Sequence, residues 1–375
     1  MGGFSLVELM IGVLIAIIAS IVMFQVFAFS ERQKRVTTGA SDAQINGALA
    51  LDSMEREIRM AGFGLTNSLL ADCNPATTYS YNDPGSGAVT GGLGAITQPV
   101  SITQGSGADT LRILVSASDF GSNYTSPGQI CLRSNMPQSS SELNVISTHG
   151  CTENNLAVLV QGQSVGSSAG GSCTIMQITG VQSSSLKIQH NPGKGPDGIN
   201  YNPSAAVQND LGWPAYSVSA SGCEAYLVCL GSLVDALGTT FTVDPTTREL
   251  RRDGIPIASG IMDMQAQYGL VSGASGTLSS WQEPTDDWAA PTPPATLTLT
   301  QVRQIKAIRV ALIARSGEYE KPTNATNTCD TTTTTSGLSS WATFDTANWP
   351  SDWKCYRYKV FETVIPLRNV IWSAT

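Results

Sequence analysis

The sequence predicts an α+β chain: one long amino-terminal helix, then a β-rich globular domain that carries a large insertion. Three observations predict it. An apolar run from Phe4 to Phe29 contains Glu8 as its single ionisable side chain. A helical pattern of apolar residues follows, with no proline before Pro75. From about Phe63 the composition turns to Ser, Thr, Gly and Asn, with short apolar alternations between turn signals. The chain divides accordingly into a short leader (1–3), a membrane-length helix (4–29), its continuation beyond the membrane (30–62) and a β-rich domain (63–375) in which 70–240 forms the insertion.

At about 1.5 Å per residue, Phe4–Phe29 makes a helix roughly 39 Å long, ample for a hydrocarbon core of about 30 Å. Glu8 is the residue that a plain anchor does not explain. A charged side chain costs on the order of 2.5–3.5 kcal/mol at mid-depth and less near the interface. Glu8 is therefore solvated at headgroup level, held by the positive end of the helix dipole, or paired with an amine. Cleavage after Gly3 would supply that amine at a new terminal Phe4. Further along, Gly47, Leu51, Met54, Ile58 and Ala61 recur at three- and four-residue steps and define one apolar stripe, with Asp52, Glu55, Glu57 and Arg59 mostly off it. Gly62 and Gly64 supply the stop, and Gly39 and Gly47 are places where the helix could soften. The expected element is one helix, half in lipid and half packed on a domain.

In the domain, strands are expected over 110–116, 156–161, 174–179, 186–190, 225–230 and 240–244, with glycine- and serine-rich loops over 79–107 and 162–171. Glu249-Leu250-Arg251-Arg252-Asp253-Gly254 reads as a turn-bounded strand, and Met262, Met264, Ala266, Tyr268 and Leu270 line one face of the next. Val302–Arg315 suits a strand through Ile308, Val310 and Leu312, and a helix through Val302, Ile305, Ile308 and Leu312. Tyr356, Tyr358 and Val360 share one face and Thr363, Ile365 and Leu367 another, so a bulge is expected near Phe361.

Charge limits the partners. Lys plus Arg number 21 against 29 Asp plus Glu, a net charge of −8, and residues 61–300 hold 7 basic and 17 acidic side chains. Nucleic-acid affinity needs clustered cations, so no nucleic-acid partner is expected. The 8 cysteines all fall between Cys73 and Cys355; with no Cys-x-x-Cys, they point to disulfides in an exported domain. The local pairings expected are Cys223 with Cys229 and Cys329 with Cys355. His149 and His190 stand outside any ligand array, Gly162-Gln163-Ser164-Val165-Gly166 lacks the helix of a nucleophile elbow, and Gly193-Lys194-Gly195-Pro196-Asp197-Gly198 is spoiled as a dinucleotide loop by Pro196. Asp286 and Asp287 are better read as solvated than as calcium ligands. No catalytic residue, metal site or cofactor is expected, and the chain is not read as an enzyme. Trp341, Trp349, Trp353, Tyr356 and Tyr358 either fill a disulfide-closed core or form an adhesive surface, the former favoured about twofold on the residue types.

Gly3-Phe4-Ser5-Leu6-Val7-Glu8-Leu9-Met10 resembles the class III signal of type IV pilins. Ile58-Arg59-Met60-Ala61-Gly62-Phe63, Met264-Gln265-Ala266-Gln267-Tyr268-Gly269 and Leu367-Arg368-Asn369 are similar to landmarks of the PilW-like minor pilins, whereas the resemblance covers 70–240 poorly, as a large lineage-specific insertion would. The resemblance implies cleavage between Gly3 and Phe4 by prepilin peptidase, N-methylation of Phe4, and Glu8 as the carboxylate that recruits the subunit to a filament. It implies a pilin-type domain held in the inner membrane with its bulk in the periplasm, then carried into a pilus or its priming tip complex. The partners implied are other minor and major pilins, the inner-membrane assembly machinery and, before assembly, the lipid bilayer. A minor pseudopilin of type II secretion and a pilus-associated adhesin are the competing readings, with an ordinary secretory signal ending at Ala28-Phe29-Ser30 behind them. Met1-Gly2-Gly3 departs from family leaders in lacking Lys or Arg, which points to an upstream start or to inefficient processing. Arg32, Lys34 and Arg35 would by charge bias keep the domain in the cytoplasm; the cysteines and the resemblance argue for export.

Overall fold

The computed structural model of the chain describes residues 5–63, 73–80, 89–90, 98–115, 129–162, 171–193, 201–206, 215–218, 223–231, 238–272, 277–289, 297, 299–322 and 328–371. One helix, α1 (Leu6–Met60), is followed by β1 (Cys73–Ser80), β2 (Val89–Thr90), β3 (Val100–Thr103), β4 (Thr110–Ile113), β5 (Ile130–Cys131), β6 (Glu142–Asn144), β7 (Leu156–Gln161), β8 (Gly171–Gln177), β9 (Gly180–Gln182) and β10 (Lys187–Gln189). Then come β11 (Ala225–Gly231), β12 (Thr239–Asp244), β13 (Glu249–Arg252), β14 (Ile255–Ser259), β15 (Ile261–Val271), β16 (Leu278–Gln282), α2 (Leu299–Gln304), β17 (Ile305–Arg315), β18 (Tyr358–Pro366) and α3 (Arg368–Ile371). The α+β class is the observed one.

Two sheets share a core with the second half of α1. One runs β16-β15-β17-β18, the other β14-β13-β12-β4-β3, and both are antiparallel throughout. Met54, Ile58 and Ala61 are fully buried on the stripe read from the sequence, joined by Ala43 and Ala50, and they pack among Ile102, Leu111, Phe241, Met264, Ile308 and Ile365. Gly39 and Gly47 do not soften the helix, which runs unbroken through both. They are close-approach points: a Cβ on Gly47 would overlap the Phe361 ring, and one on Gly39 would sit 3.1 Å from Glu318 Cγ.

Residues 98–113 depart from the expected 70–240 insertion. Val100, Ile102, Leu111 and Ile113 point into the α1 core because β3 and β4 pair with each other and with β12. The expected 79–107 loop accordingly contains β2 and β3. Val302–Arg315 serves both of its periodicities in turn, as helix α2 and then strand β17. No bulge occurs at Phe361; β18 pairs with β17 in continuous register from Tyr358↔Arg315 to Pro366↔Ala307. The apparent slip arises because both faces of β18 are covered, Phe361 and Ile365 by the α1 core and Tyr358 and Val360 by a loop on the opposite side.

Strands β1, β2 and β5–β11 build a second body. A six-stranded sheet, β2-β1-β8-β7-β11-β5, is antiparallel except for the β1–β8 pair, and its central strands β7 and β11 are buried on both faces. Leu156, Val158, Val160, Tyr226 and Val228 pack on one side with Leu114 at the end of β4. Ala157, Leu159, Leu227 and Cys229 pack on the other against the three-stranded β6-β10-β9 sheet through Leu143 and Ile188. Two disulfides anchor β11: Cys131–Cys223 ties its start to the neighbouring strand β5 within the same sheet, and Cys151–Cys229 ties its centre to the segment before β7. This corrects the expected Cys223–Cys229 bridge. Most of the chain between them is strand β11, and at about 3.3 Å per residue the two cysteines lie far beyond the roughly 7 Å Cα limit of a disulfide. Cys329 is bonded to Cys355, with 4.7 Å between Cα atoms, and Cys173 is also disulfide-bonded.

At the edge of the five-stranded sheet the Ile102 N–H donates to the Tyr268 hydroxyl at 2.6 Å, deep in the core. Tyr268→Phe would leave that buried donor without its acceptor, and is expected to lower stability by about 1–3 kcal/mol, measured as a shift of the urea midpoint at unchanged slope.

Candidate assembly surface

The first half of α1 stands clear of the domain. Leu6, Phe24, Phe27 and Phe29 are each about seven-tenths exposed or more, and an 18-residue window with a mean hydropathy of 2.7 has none of its residues buried. By length and composition this helix can cross a membrane. Within it Ser20 Oγ donates to the Ala16 carbonyl at 2.8 Å, and the Ser5 N–H donates to Glu8 Oε2 at 3.4 Å. Glu8 therefore sits on the exposed first turn, folded back over the helix start. Gly12 faces open space. Gly3 and Phe4 lie outside the described residues.

The domain first approaches α1 at Phe27 and Ala28, where a cleft of about 470 Å³ opens between the helix and the segment Glu318–Lys321 after β17. From Leu6 to Val26 the helix is thus exposed and clear of the described part of the domain, over roughly 30 Å at about 1.5 Å per residue, which matches the hydrocarbon thickness. Glu31 and Arg35, an ion pair at 3.6 Å, begin the polar stretch just beyond. Tyr319, half exposed, stands on the same cleft, where an interfacial aromatic belongs.

The other end of α1 is locked by a residue far away in sequence. Gly62 turns the chain out of the helix at φ 75°, and its N–H donates to the Leu114 carbonyl at 2.9 Å. Asn369 Nδ2 lies 3.2 Å from the Ala61 carbonyl and 3.3 Å from that of Met60, so a side chain at the end of the fold caps the helix. The segments 58–63 and 367–369, noted separately in the sequence, are thereby one structure. The third, 264–269, is the centre of β15: the Ala266 N–H donates to Asp109 Oδ2 at 2.9 Å, and Gly269 leaves room for Trp281 and Ala307.

Residues 227–369 match the family model described as type IV pilus-assembly protein W. Over those residues the chain is similar to type IV pilus-assembly proteins, and the match ends on the helix-capping Asn369. No curated protein and no solved structure matches the chain.

This pilus-related region also holds the aromatic cluster. The loop closed by Cys329–Cys355 lies on the outer face of β15, β17 and β18, where Phe344 is buried against Met262, Ala311 and Ile313 with Trp341, Trp349, Tyr358 and Val360 around it. Trp349 stacks on Tyr358 at 5.1 Å and meets Trp353 edge-on at 5.9 Å. Arg309 is sandwiched between Trp281 and Trp341, 4.7 and 4.3 Å from the ring centroids, and Tyr356 carries Arg315 at 3.9 Å. Trp341, Trp349, Trp353, Tyr356 and Tyr358 are each partly buried, held by the contacts above and still in part at the surface.

The residues weighed for chemistry are not drawn together. His149 is exposed, whereas His190 is buried with neither ring nitrogen hydrogen-bonded among the described residues. Asp286 and Asp287 form an exposed 3₁₀ turn, and no group of three or more His, Cys, Asp or Glu among the described residues has metal-binding geometry. Residues 163–166 and 194–198, which carry most of the two formal glycine motifs, lie outside the described residues. Asn369 and Asp109 were missed as structural anchors because a single polar residue in a turn has no periodicity to betray it.

Proposed function

We propose that the chain is a minor pilin-type subunit, cleaved between Gly3 and Phe4, methylated on Phe4, and assembled into a type IV pilus or its priming tip complex. The observation that carries this reading is the division of α1: its second half is a wall of the domain core, while its first half, of bilayer length, is not buried against any of the described residues. Such a surface needs lipid before assembly and neighbouring helices after it. The similarity to pilus-assembly proteins supports the same reading. The subunit would wait in the inner membrane with its disulfide-bearing domain in the periplasm, meet prepilin peptidase and the assembly machinery there, and pack against other minor and major pilins. It has no catalytic role and no nucleic-acid partner in this account.

On extraction, Glu8 would leave the headgroup region for the apolar interior of a helix bundle. A carboxylate there is costly unless paired, and the terminal amine of a neighbouring Phe4 is the natural cation, so the pair would set the axial step. Glu8→Ala is expected to be cleaved and methylated normally yet to fall about tenfold in sheared filaments, equivalent to about 1.4 kcal/mol per subunit added; wild-type recovery of the variant would remove Glu8 from assembly. The direct test of the reading is mass spectrometry of membranes and sheared filaments. It should find a peptide beginning at N-methylated Phe4, and a chain that retains Met1 in every fraction would overturn it.

A further inference from the structure

We propose that the cleft between the Gly105–Ala108 turn and the Asp345–Trp349 segment binds a neutral saccharide. The inference is independent of filament membership, since no residue of α1 lines this cleft among the described residues. The cleft has a volume of about 530 Å³, within the range of sites that enclose small ligands.

Its walls are built and fixed. Trp349 lines it with a ring already held by Tyr358 and Trp353, at 5.1 and 5.9 Å. The glycine turn is tied from three sides: Asn348 Nδ2 donates to the Ser106 carbonyl at 3.1 Å, Gln265 Nε2 to the Gly107 carbonyl at 2.9 Å, and the Gly105 N–H to Asp109 Oδ1 at 3.3 Å. A Cβ at Gly105 would overlap the Ala108 carbonyl, so the turn keeps its shape only with glycine there. A preformed cleft loses little entropy on binding.

The lining chemistry selects the ligand class. Trp349 offers an aromatic surface suited to the C–H face of a sugar ring. Asp345 uses Oδ1 to accept the Ala347 N–H at 2.9 Å and leaves Oδ2 for hydroxyl donors; Asn348 is likewise committed only through its amide nitrogen. Thr246 adds a hydroxyl on the opposite wall. No Lys or Arg lines the cleft among the described residues, so a phosphate or carboxylate would meet Asp345 without a counter-charge. An amphipathic, uncharged, polyhydroxylated ring satisfies these walls.

The test uses the full chain in a non-glycosidic detergent on an array of neutral, sialylated and amino oligosaccharides, followed by tryptophan-fluorescence titration of the strongest neutral ligand and competition with choline. Neutral glycans should bind, sialylated ones should not, and choline should not compete. Gly107→Leu fills the cleft where a Cβ meets only Asn348 Nδ2 at 3.6 Å, and is expected to weaken binding about tenfold or more without changing the melting temperature. Asp345→Ala, at an exposed position, should do the same and serves if the leucine variant misfolds. Absence of any neutral-glycan signal, affinity unchanged in both variants, or binding confined to amino sugars and choline would overturn the proposal.

Discussion

Gly47→Leu is expected to destabilise the body of the protein by about 3 kcal/mol, the upper end of what overpacking costs. The helix and β18 meet at this point with the Phe361 ring laid directly on the glycine Cα, so that even one added carbon overlaps the ring. Phe361 has little freedom to withdraw, since β18 is held to β17 in unbroken register on one side and covered on both faces. A leucine must push α1 off the sheet and open contacts of Met54 and Ala50 with it. In an exposed helix, replacing glycine by a good helix former would instead stabilise by roughly 1 kcal/mol, so the sign of the change separates close approach from mere flexibility. Thermal unfolding of the full chain in detergent measures it. The Phe361→Ala change should recover much of the loss in the double variant, because the two sites are in contact and cannot be additive. Equal destabilisation by Gly47→Leu with and without Phe361 would show that the glycine serves something other than this contact.

Much of this body was legible because its signals are periodic. The stripe Gly47, Leu51, Met54, Ile58 and Ala61 read a half-packed helix correctly, since burial on one face repeats with the helical turn. β15 likewise declared Met264, Ala266 and Tyr268. Met262, expected on the same face, packs instead on the opposite one across the irregularity between Ile261 and Asp263; Leu270 is only partly buried, and Asp263 and Gln267 are buried as well. What failed was wherever two surfaces act on one strand: β18 looked like a slipped alternation because opposite faces are covered by different parts of the chain. The disulfides failed for a related reason. Cys223 and Cys229 are near in sequence, but an extended strand carries neighbours apart, and their true partners are brought in by long-range pairing, Cys131 on β5 beside β11 and Cys151 in the segment before β7. Of the candidate assembly residues, Glu8 was visible as the lone charge in an apolar run, whereas the Asn369 cap depends on a contact across 308 residues of separation.

Acidification from pH 7 to pH 4 is expected to act in opposite directions on the two bodies. In the second body, burial pushes the His190 imidazole down from 6.5 to about 4, and neither ring nitrogen has a hydrogen-bond partner among the described residues. The unfolded chain therefore binds a proton that the folded one refuses; stability is complete above about 6.5 and is lost as the pH falls toward 4, by up to about 3 kcal/mol at 1.36 kcal/mol per pKa unit. In the body around α1 the shifts run the other way. Burial lifts Asp109 to about 7, against hydrogen bonds from the Ala266 and Gly105 N–H groups, with Asp263 and Glu283 adding to the rise. Burial also lifts Asp263 to about 6, with Asp345 contributing, and its Oδ2 has no hydrogen-bond partner among the described residues. These carboxyls hold protons that the unfolded chain has released, so their contribution is greatest below about 3.8 and disappears as the pH rises through 6 and 7. Hydrogen exchange read by mass spectrometry should thus show protection falling at 186–190 and 156–161 as the pH drops, after correction for intrinsic exchange, while 261–271 gains protection. His190→Leu should abolish the first trend and Asp109→Asn should weaken the second. Parallel trends in both bodies, or a first trend that survives His190→Leu, would mean that other groups govern the response.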